Sequence, residues 1–250
     1  MSSKQKVPPG SGSNKGDPPG KGQMIGALVS VVAGVAIVGF FVYLLNVLAL
    51  HPPVLKATQT ASTSKLVKAS LNIATYPDSM AGEHGKSGGA HPNWVSYGPT
   101  TNFSVPAHAL VTVTIRNYDT ATTLNNPFFG QVQGTVGQSA KVNGKTFKLL
   151  SGTAVAHTFT IHMFPSSSQP NLDVNVPLLG VSPSAPNLSN GYPKPTVTTF
   201  QFKTGAPGRY IWQCFDPCGG KQYYRGFGGP MSTLGYMAGT LTVVGGNAGA

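Results

Sequence analysis

The stretch Gln213-Cys214-Phe215-Asp216-Pro217-Cys218-Gly219 holds the only two cysteines of the 250-residue chain. It follows an alternating run, Arg209–Cys214, whose pattern predicts a β-strand. Two cysteines four positions apart can bind a metal as thiolates, close a small disulfide, or act as a redox pair. The residues around this loop therefore decide which chemistry it serves.

The composition predicts one all-β domain over residues 65–250. The chain has 32 Gly and 21 Pro and only 9% charged residues, which is typical of a loop-rich β protein. Eight short strands separated by turns indicate a Greek-key β-sandwich. The weakly patterned segments 77–101 and 117–145 are predicted as long loops. The predicted strands are Leu66–Thr75, Asn102–Val105, Leu110–Arg116, Thr146–Leu150, Ala154–Phe164, Thr196–Phe202, Arg209–Cys214 and Gly239–Val244.

The N-terminal part has a different character. Residues 1–23 are mainly Gly, Pro, Ser and Lys, which predicts a flexible tail. Residues 24–50 carry no charge and predict one transmembrane helix, while 51–64 are expected to form a linker. A signal peptide cleaved after Ala49 is the alternative, but signal sequences have apolar runs of only about 7–15 residues.

The charge distribution predicts orientation and argues against some partners. The chain has 17 Lys+Arg against 6 Asp+Glu, and four lysines precede the apolar segment. By the positive-inside rule the N-terminus is cytoplasmic and the domain lies outside the cell membrane, anchored by a single pass. Because the other cations are scattered, we expect no nucleic acid as partner. Hydrolase and nucleotide-binding motifs are absent from the sequence, so we expect no catalytic residues and no small-molecule substrate.

Several segments resemble the cupredoxin family over about residues 100–245. They are Val111–Asn117, His157–Ile161, Gly205–Cys214 and Met237–Val244. The resemblance implies a copper ion held between His157 and the loop that joins the last two strands. Soft sulfur and imidazole ligands suit both oxidation states of copper.

Within that family, Cys-Phe-Asp-Pro-Cys-Gly resembles the dinuclear copper (CuA) loop of haem–copper oxidase subunit II, Cys-x-Glu-x-Cys-Gly followed by His and Met. The resemblance implies that Cys214 and Cys218 bridge two copper ions and that Asp216 lends its backbone carbonyl. The chain departs from the pattern next, because Gln222 and Arg225 stand where the family has His and Met.

Two methionines, Met231 and Met237, could each supply a weak thioether in place of the missing ligand. His162 lies five positions from His157 and so on the opposite face of a regular strand, which makes it a poor second ligand. His84, His91 and His108 fall in predicted loops or at a strand edge, and His51 lies in the predicted linker.

These observations predict a subunit II-like component of a membrane respiratory oxidase, with haem-containing subunits as partners. Its role would be docking or electron entry through an incomplete CuA site. A membrane-tethered carrier with a single copper, held by His157, one cysteine, Met237 and another histidine from a loop, is an alternative. The other is a metal-free assembly module, without cofactor, in which Cys214 and Cys218 form a disulfide in an oxidising compartment.

Overall fold

The N-terminal unit of the computed structural model is a long helix. The structure describes residues 20–50, 53–60, 66–77, 94–164, 171–218 and 229–245, and the chain divides into two compact units, Met1–Pro52 and Pro53–Ala250. Helix α1 spans Lys21–Leu50 and begins three residues before the predicted segment. The side-chain oxygen of Gln23 accepts from the backbone N–H of Gly20 (3.2 Å), which satisfies a backbone donor at the helix start and extends the first turn.

Helix α1 has the length and composition of a membrane span. The 27 residues Lys21–Val47 are apolar, and none of their most apolar window is buried. At 1.5 Å per residue the helix extends about 45 Å, against roughly 30 Å for a hydrocarbon core. The same features occur in signal sequences near an N-terminus, and the expected orientation stays a prediction.

The second unit is built almost entirely of strands, which confirms the expected all-β class with one N-terminal apolar helix. The strands are β1 Leu55–Lys56, β2 Thr58–Thr60, β3 Val67–Tyr76, β4 Ser96–Gly98, β5 Asn102–Pro106, β6 Ala109–Asn117, β7 Ala140–Val142, β8 Lys145–Phe147, β9 Val155–Met163, β10 Val174–Leu179, β11 Thr196–Lys203, β12 Gly208–Gln213 and β13 Ala238–Val244. In β6 and β11, successive side chains alternate between buried and more exposed positions, as in a sheet with one face on a core, whereas the first seven residues of β9 are all buried.

The strands form two sheets packed as a sandwich. One sheet has the order β1-β5-β13-β12-β9-β10, and the other has the order β2-β3-β6-β11-β7-β8 with β4 paired to β3. The chain crosses between the sheets several times, so that sequence neighbours such as β5 and β6 lie in different sheets. This confirms the predicted Greek-key sandwich.

An aromatic cluster between the sheets fixes the register of the strands that carry the cysteine loop. The ring of Trp212 lies 5.2 Å from that of Phe159 and 5.5 Å from that of Phe103, and its Nε1–H donates to the carbonyl of Thr101 at 2.7 Å. In this register Gln213 of β12 pairs with Thr160 of β9. The end of β12 therefore pairs with the middle of β9, and the loop that follows β12 runs beside the first half of β9.

The structure differs from the prediction mainly in short strands. The expected linker 51–64 contributes β1 and β2, which pair with β5 and β3. The loops expected at 77–101 and 117–145 contain β4 and β7, while residues 78–93 lie outside the described chain. These strands are two or three residues long and are held by their neighbours in the sheet, so their own pattern carries little signal. Strand β10 was not predicted at all.

Candidate metal centre

Three metal-binding side chains converge where β9 begins and β12 ends. His157 is in β9, and Cys214 and Cys218 lie in the loop after β12. The ligand atoms of all three lie within 4.8 Å of one another, and all three residues are buried. Nδ1 of His157 is 3.0 Å from Sγ of Cys218. The ligand atoms of three of the six residues expected at a metal site thus converge, and two more, Asp216 and Met231, contact the cysteines.

The two cysteines are free thiols in this structure. Their Sγ atoms are 3.3 Å apart, compared with about 2.05 Å in a disulfide bond. The disulfide expected for a metal-free protein is therefore not formed here. Both sulfurs are available as ligands.

Asp119 holds the outer side of the His157 ring. Its Oδ2 lies 3.1 Å from Nε2 of His157, which leaves Nδ1 facing the sulfurs. Asn117, at the end of β6, fixes this carboxylate, since its side chain accepts from the backbone N–H of Asp119 (3.1 Å) and donates to its carbonyl (2.9 Å). Carboxylates in this position orient histidine ligands in metal sites.

The pKa of His157 follows from this surrounding. Burial lowers the pKa, but the hydrogen bond to Asp119 and the interactions with Cys214 outweigh burial and raise the pKa to about 10. The imidazole of the metal-free protein is therefore protonated at neutral pH. A metal ion that binds Nδ1 must displace a proton, so its affinity rises with pH in this range.

The two thiols share their protons unequally. Burial by itself raises the pKa of Cys214, but hydrogen bonds with Cys218 and His157 outweigh it and bring that pKa well below its usual range. For Cys218, burial and the neighbouring Cys214 thiolate raise the pKa well above its usual range. The backbone N–H of Thr158 also donates to Sγ of Cys214 at 3.3 Å. The metal-free pair thus keeps one proton, which a bound cation would displace.

Asp216 places a carbonyl and a carboxylate beside the thiols. Its carbonyl oxygen lies 3.6 Å from Sγ of Cys214 and accepts the N–H of Cys218 at 2.7 Å. The carboxylate is fully buried, and its Oδ2 accepts from the hydroxyl of Thr122. Among the described residues, its Oδ1 has no hydrogen-bond partner. Burial and then the charge of Cys214 raise its pKa to about 7.

The two methionines meet the loop in different ways. Sδ of Met231 accepts from the backbone N–H of Cys218 at 3.3 Å, so this thioether lies beside the cluster. Met237 is also buried, but it contacts the loop through its backbone, since its carbonyl accepts the N–H of Cys214 at 2.9 Å. Met231 is therefore the better placed thioether.

The other histidines are not part of the cluster or lie outside the described chain, although the ring of His162 lies 5.9 Å from that of Phe215. His108 has a positive φ of 49° in the turn between β5 and β6. Nδ1 of His162 lies 3.2 Å from the carbonyl of Met163. Gln222 and Arg225, like His84 and His91, lie outside the described residues. Within the described part of the chain, His157 supplies the one imidazole of the cluster.

The donor set fits a soft or borderline cation. Two thiolates, one imidazole and a nearby thioether suit copper in both oxidation states, and two thiolates with one imidazole also suit zinc. The unpartnered Oδ1 of Asp216 supports a cation in this place, because a buried carboxylate oxygen without a donor is costly unless a positive charge lies near it.

Sequence reasoning missed Asp119, Thr122 and Thr158. Asp119 and Thr122 lie in the segment that was expected to be a structureless loop, and they contact residues 38 and 94 positions away. The one available signal was scarcity: the chain has six acidic residues, and Asp119 directly follows a strongly patterned strand.

No family model matches the chain, and no curated protein matches it. Among solved structures, auracyanin from Roseiflexus castenholzii is 16% identical, with a TM-score of 0.33 over 74% of this chain and 99% of that chain. Auracyanin B is 15% identical, with a TM-score of 0.30 over 76% and 96%. Rusticyanin from Thiobacillus ferrooxidans is 17% identical, with a TM-score of 0.28 over 75% and 87%, and is described as a copper protein.

At TM-scores of about 0.3, these likenesses carry no argument about what this chain binds or does. The sheet order and the position of the cluster between β9 and the β12–β13 loop agree with the expected cupredoxin-like sandwich.

Proposed function

We propose that this protein is a membrane-tethered cupredoxin that carries single electrons through a copper centre. The observation that carries the proposal is the buried cluster of His157, Cys214 and Cys218, with ligand atoms within 4.8 Å of one another. The expected single-copper alternative thus fits the geometry better than the oxidase subunit, with three changes. Both cysteines belong to the cluster, Met231 takes the place expected for Met237, and no second histidine joins the cluster among the described residues.

Each residue of the centre would have its own role. Nδ1 of His157 and the two thiolates would hold the metal, with Sδ of Met231 as a weak additional donor. Asp119 keeps the His157 ring oriented, and the N–H of Thr158 stabilises negative charge on Cys214. Copper, when bound, supplies one-electron redox chemistry. Because the ligands are buried in a packed sandwich, they would move little between oxidation states, which favours fast electron transfer.

Helix α1 would anchor the protein in the membrane. Helix α1 would cross the cell membrane with the N-terminus in the cytoplasm and Pro53–Ala250 outside, supported by its length, its apolar surface and the preceding lysines. The centre would then serve electron transport at an extracytoplasmic membrane surface.

A second candidate is the subunit II-like role with a dinuclear copper centre. It is supported by the Sγ atoms 3.3 Å apart and by the Asp216 carbonyl 3.6 Å from Sγ of Cys214, since the Cys-x-Glu-x-Cys-Gly resemblance implies two bridging thiolates and a carbonyl ligand. In this role the protein would dock to haem-containing oxidase subunits in the membrane.

The test is metal analysis of the full-length protein, produced in membranes and purified in detergent. We expect bound copper, an intense thiolate-to-copper absorption, and loss of both in His157→Ala. His162→Ala is the matched control, because that ring binds the Met163 carbonyl, and it should keep both. Electron paramagnetic resonance separates hyperfine coupling to one copper nucleus from coupling to two equivalent nuclei.

Three outcomes would contradict the first proposal. Zinc in place of copper would indicate a structural site. A colourless protein whose thiols react only after reduction would indicate the metal-free module. A two-nucleus spectrum together with haem subunits that co-purify from native membranes would establish the second candidate.

A further inference from the structure

We propose that an aromatic face beside the metal centre docks an acidic one-electron carrier protein and passes the electron to the centre. The face consists of Phe128, Phe129, Leu149 and Phe215. This inference rests on the proposed electron-transfer function and adds the place of exchange and the kind of partner.

A chain of ring contacts leads from the cysteine loop to the surface. Phe215 lies between Cys214 and Asp216, and its ring stacks on that of Phe129 with centroids 4.6 Å apart and planes 6° apart. The ring of Phe129 in turn meets that of Phe128 at 5.5 Å and 83°. Phe128 is 52% exposed. A partner that touches Phe128 is thus joined to the backbone of a proposed ligand by two ring contacts.

The backbone beneath this face is held in place. The side chain of Asn126 accepts the N–H of Phe128 at 3.0 Å, and the side-chain amide of Asn175 donates to the carbonyls of Phe129 (3.0 Å) and Gln131 (2.7 Å). Asn175 is itself buried. The exposed rings therefore do not depend on a partner for their position, and a preorganised surface loses little entropy on binding.

Leu149 extends the apolar face on the other side of the turn. It is 62% exposed, and it sits in a ladder in which Leu150 donates to Gly130 (3.0 Å) and Val132 to Lys148 (2.8 Å). A side chain at Gly130 would meet the Leu150 carbonyl at 2.7 Å and Leu149 at 3.6 Å. Leu149 thus lies close to Gly130, which directly follows Phe129, and clustered exposed apolar side chains mark interaction surfaces.

The charges around the face select the partner. Exposed Lys148 adjoins Leu149, and exposed Lys141 and Lys145 lie on the β7–β8 hairpin that leads to it. Of the described acids, Asp216 is buried and Asp119 is paired with His157, which leaves Asp173 as the exposed one. A second copy of this chain would bring like charges together. The surface therefore fits a protein with an acidic rim.

The step itself is a transfer of one electron without any bond made or broken. The reduced partner gives one electron and is left oxidised by one electron, and the oxidised centre is reduced by one. The lysines would steer the encounter, whereas Phe128 and Leu149 would form the apolar contact that brings the two redox groups close.

The test is the rate at which the oxidised, copper-loaded full-length protein in detergent is reduced by an acidic cytochrome c with net negative charge. Phe128→Ser and Lys148→Glu should each lower the second-order rate about tenfold at low ionic strength, and the Lys148→Glu effect should shrink as salt rises. Val244→Ser and Lys203→Glu are the matched controls, because both lie at the other end of the sandwich, and they should change the rate less than about twofold.

Hydroquinone, a small neutral reductant, separates docking from damage to the centre. All variants should keep the copper spectrum and their rate with hydroquinone. Unchanged cytochrome rates in Phe128→Ser and Lys148→Glu with an intact spectrum would overturn this inference alone. Absence of copper in the unmutated protein would overturn the proposed function and this inference with it. An effect of Phe128→Ser seen only in nanodiscs with anionic lipid would assign the face to a lipid surface and overturn the protein partner.

Discussion

The two ends of the sandwich bury polar groups in opposite ways. At the end away from the cysteine loop, the Thr204 hydroxyl donates to the carbonyl of Pro106 at 2.7 Å and accepts from the N–H of Ala109 at 2.9 Å. These groups are neutral and fully paired. At the cluster end, the buried groups are ionisable, and Oδ1 of Asp216 has no partner among the described residues.

This difference indicates that the polar groups at one end are buried to stabilise the fold, whereas those at the cluster end are buried to bind a ligand. Thr204 joins the start of β6 to the end of β5 and completes their hydrogen bonding, which adds stability. At the cluster end, the carboxyl of Asp216 is instead buried beside the charge of Cys214 in a low-dielectric interior, which costs stability until a cation arrives. Changes at the two ends should therefore have different consequences.

The largest effect is expected for Cys214→Ser. This change replaces a soft thiolate by a poor ligand of nearly the same size. Copper affinity should therefore fall by more than about 100-fold, which is the upper range for losing a residue that only orients a ligand. The unfolding free energy of the metal-free protein should change by less than about 1 kcal/mol, because a buried thiolate is removed. Competition titration and denaturant unfolding measure the two. A large loss of metal-free stability would remove the distinction between the ends.

A smaller effect on affinity is expected for Asp119→Ala. Without the carboxylate that receives Nε2–H, the His157 ring is free to turn and becomes a weaker base, and copper affinity should fall about 10–100-fold. Asp119→Asn keeps an acceptor for that N–H and should lose less. Equal losses in both variants would indicate that the charge of Asp119, not its hydrogen bond, supports the site.

The sequence was sufficient for those parts of the fold whose own pattern is strong. Strands β6, β9 and β12 were predicted to within about two residues, since they are rich in β-branched and aromatic residues. Strand β10 was missed because Asn175 and Pro177 interrupt its apolar run. The structure shows why both are tolerated: Asn175 bonds backbone carbonyls of a neighbouring turn, and β10 lies at the edge of its sheet, where proline is acceptable.

Some residues of the candidate site could likewise be predicted from the sequence, and others could not. His157, Cys214 and Cys218 could be predicted because they lie at the ends of patterned strands in a recognisable loop. The contacts of Asp119 with His157 and of Thr122 with Asp216 could not, since they depend on how the segment after β6 folds back. Such contacts join residues far apart in the chain and leave no local pattern.

The third effect is a dependence of metal-free stability on pH at the cluster end. The pKa of Asp216 is raised from 3.8 to about 7. The contribution of this carboxyl to the free energy of unfolding is therefore fully present below about pH 4 and is lost as the pH rises through 7. The loss should be on the order of a few kcal/mol. Asp216→Asn should remove it, which chemical denaturation at pH 4, 6 and 8 would measure. The pKa of His157 is raised from 6.5 to about 10, so the stability that its protonated ring contributes is fully present below about pH 6.5 and is lost as the pH rises through 10 in both proteins. Equal pH profiles of the two proteins would contradict the argument.

The smallest effect is expected at the opposite end, for Thr204→Val. The change keeps the shape of the side chain but leaves the N–H of Ala109 and the carbonyl of Pro106 without the hydroxyl, which should cost about 1–3 kcal/mol of unfolding free energy. Thr204→Ser keeps the hydroxyl and should recover most of the loss. Copper affinity should be unchanged in both, because the cluster lies at the other end of β13. A shift in affinity together with stability would mean that the two ends are energetically coupled through the core around Trp212.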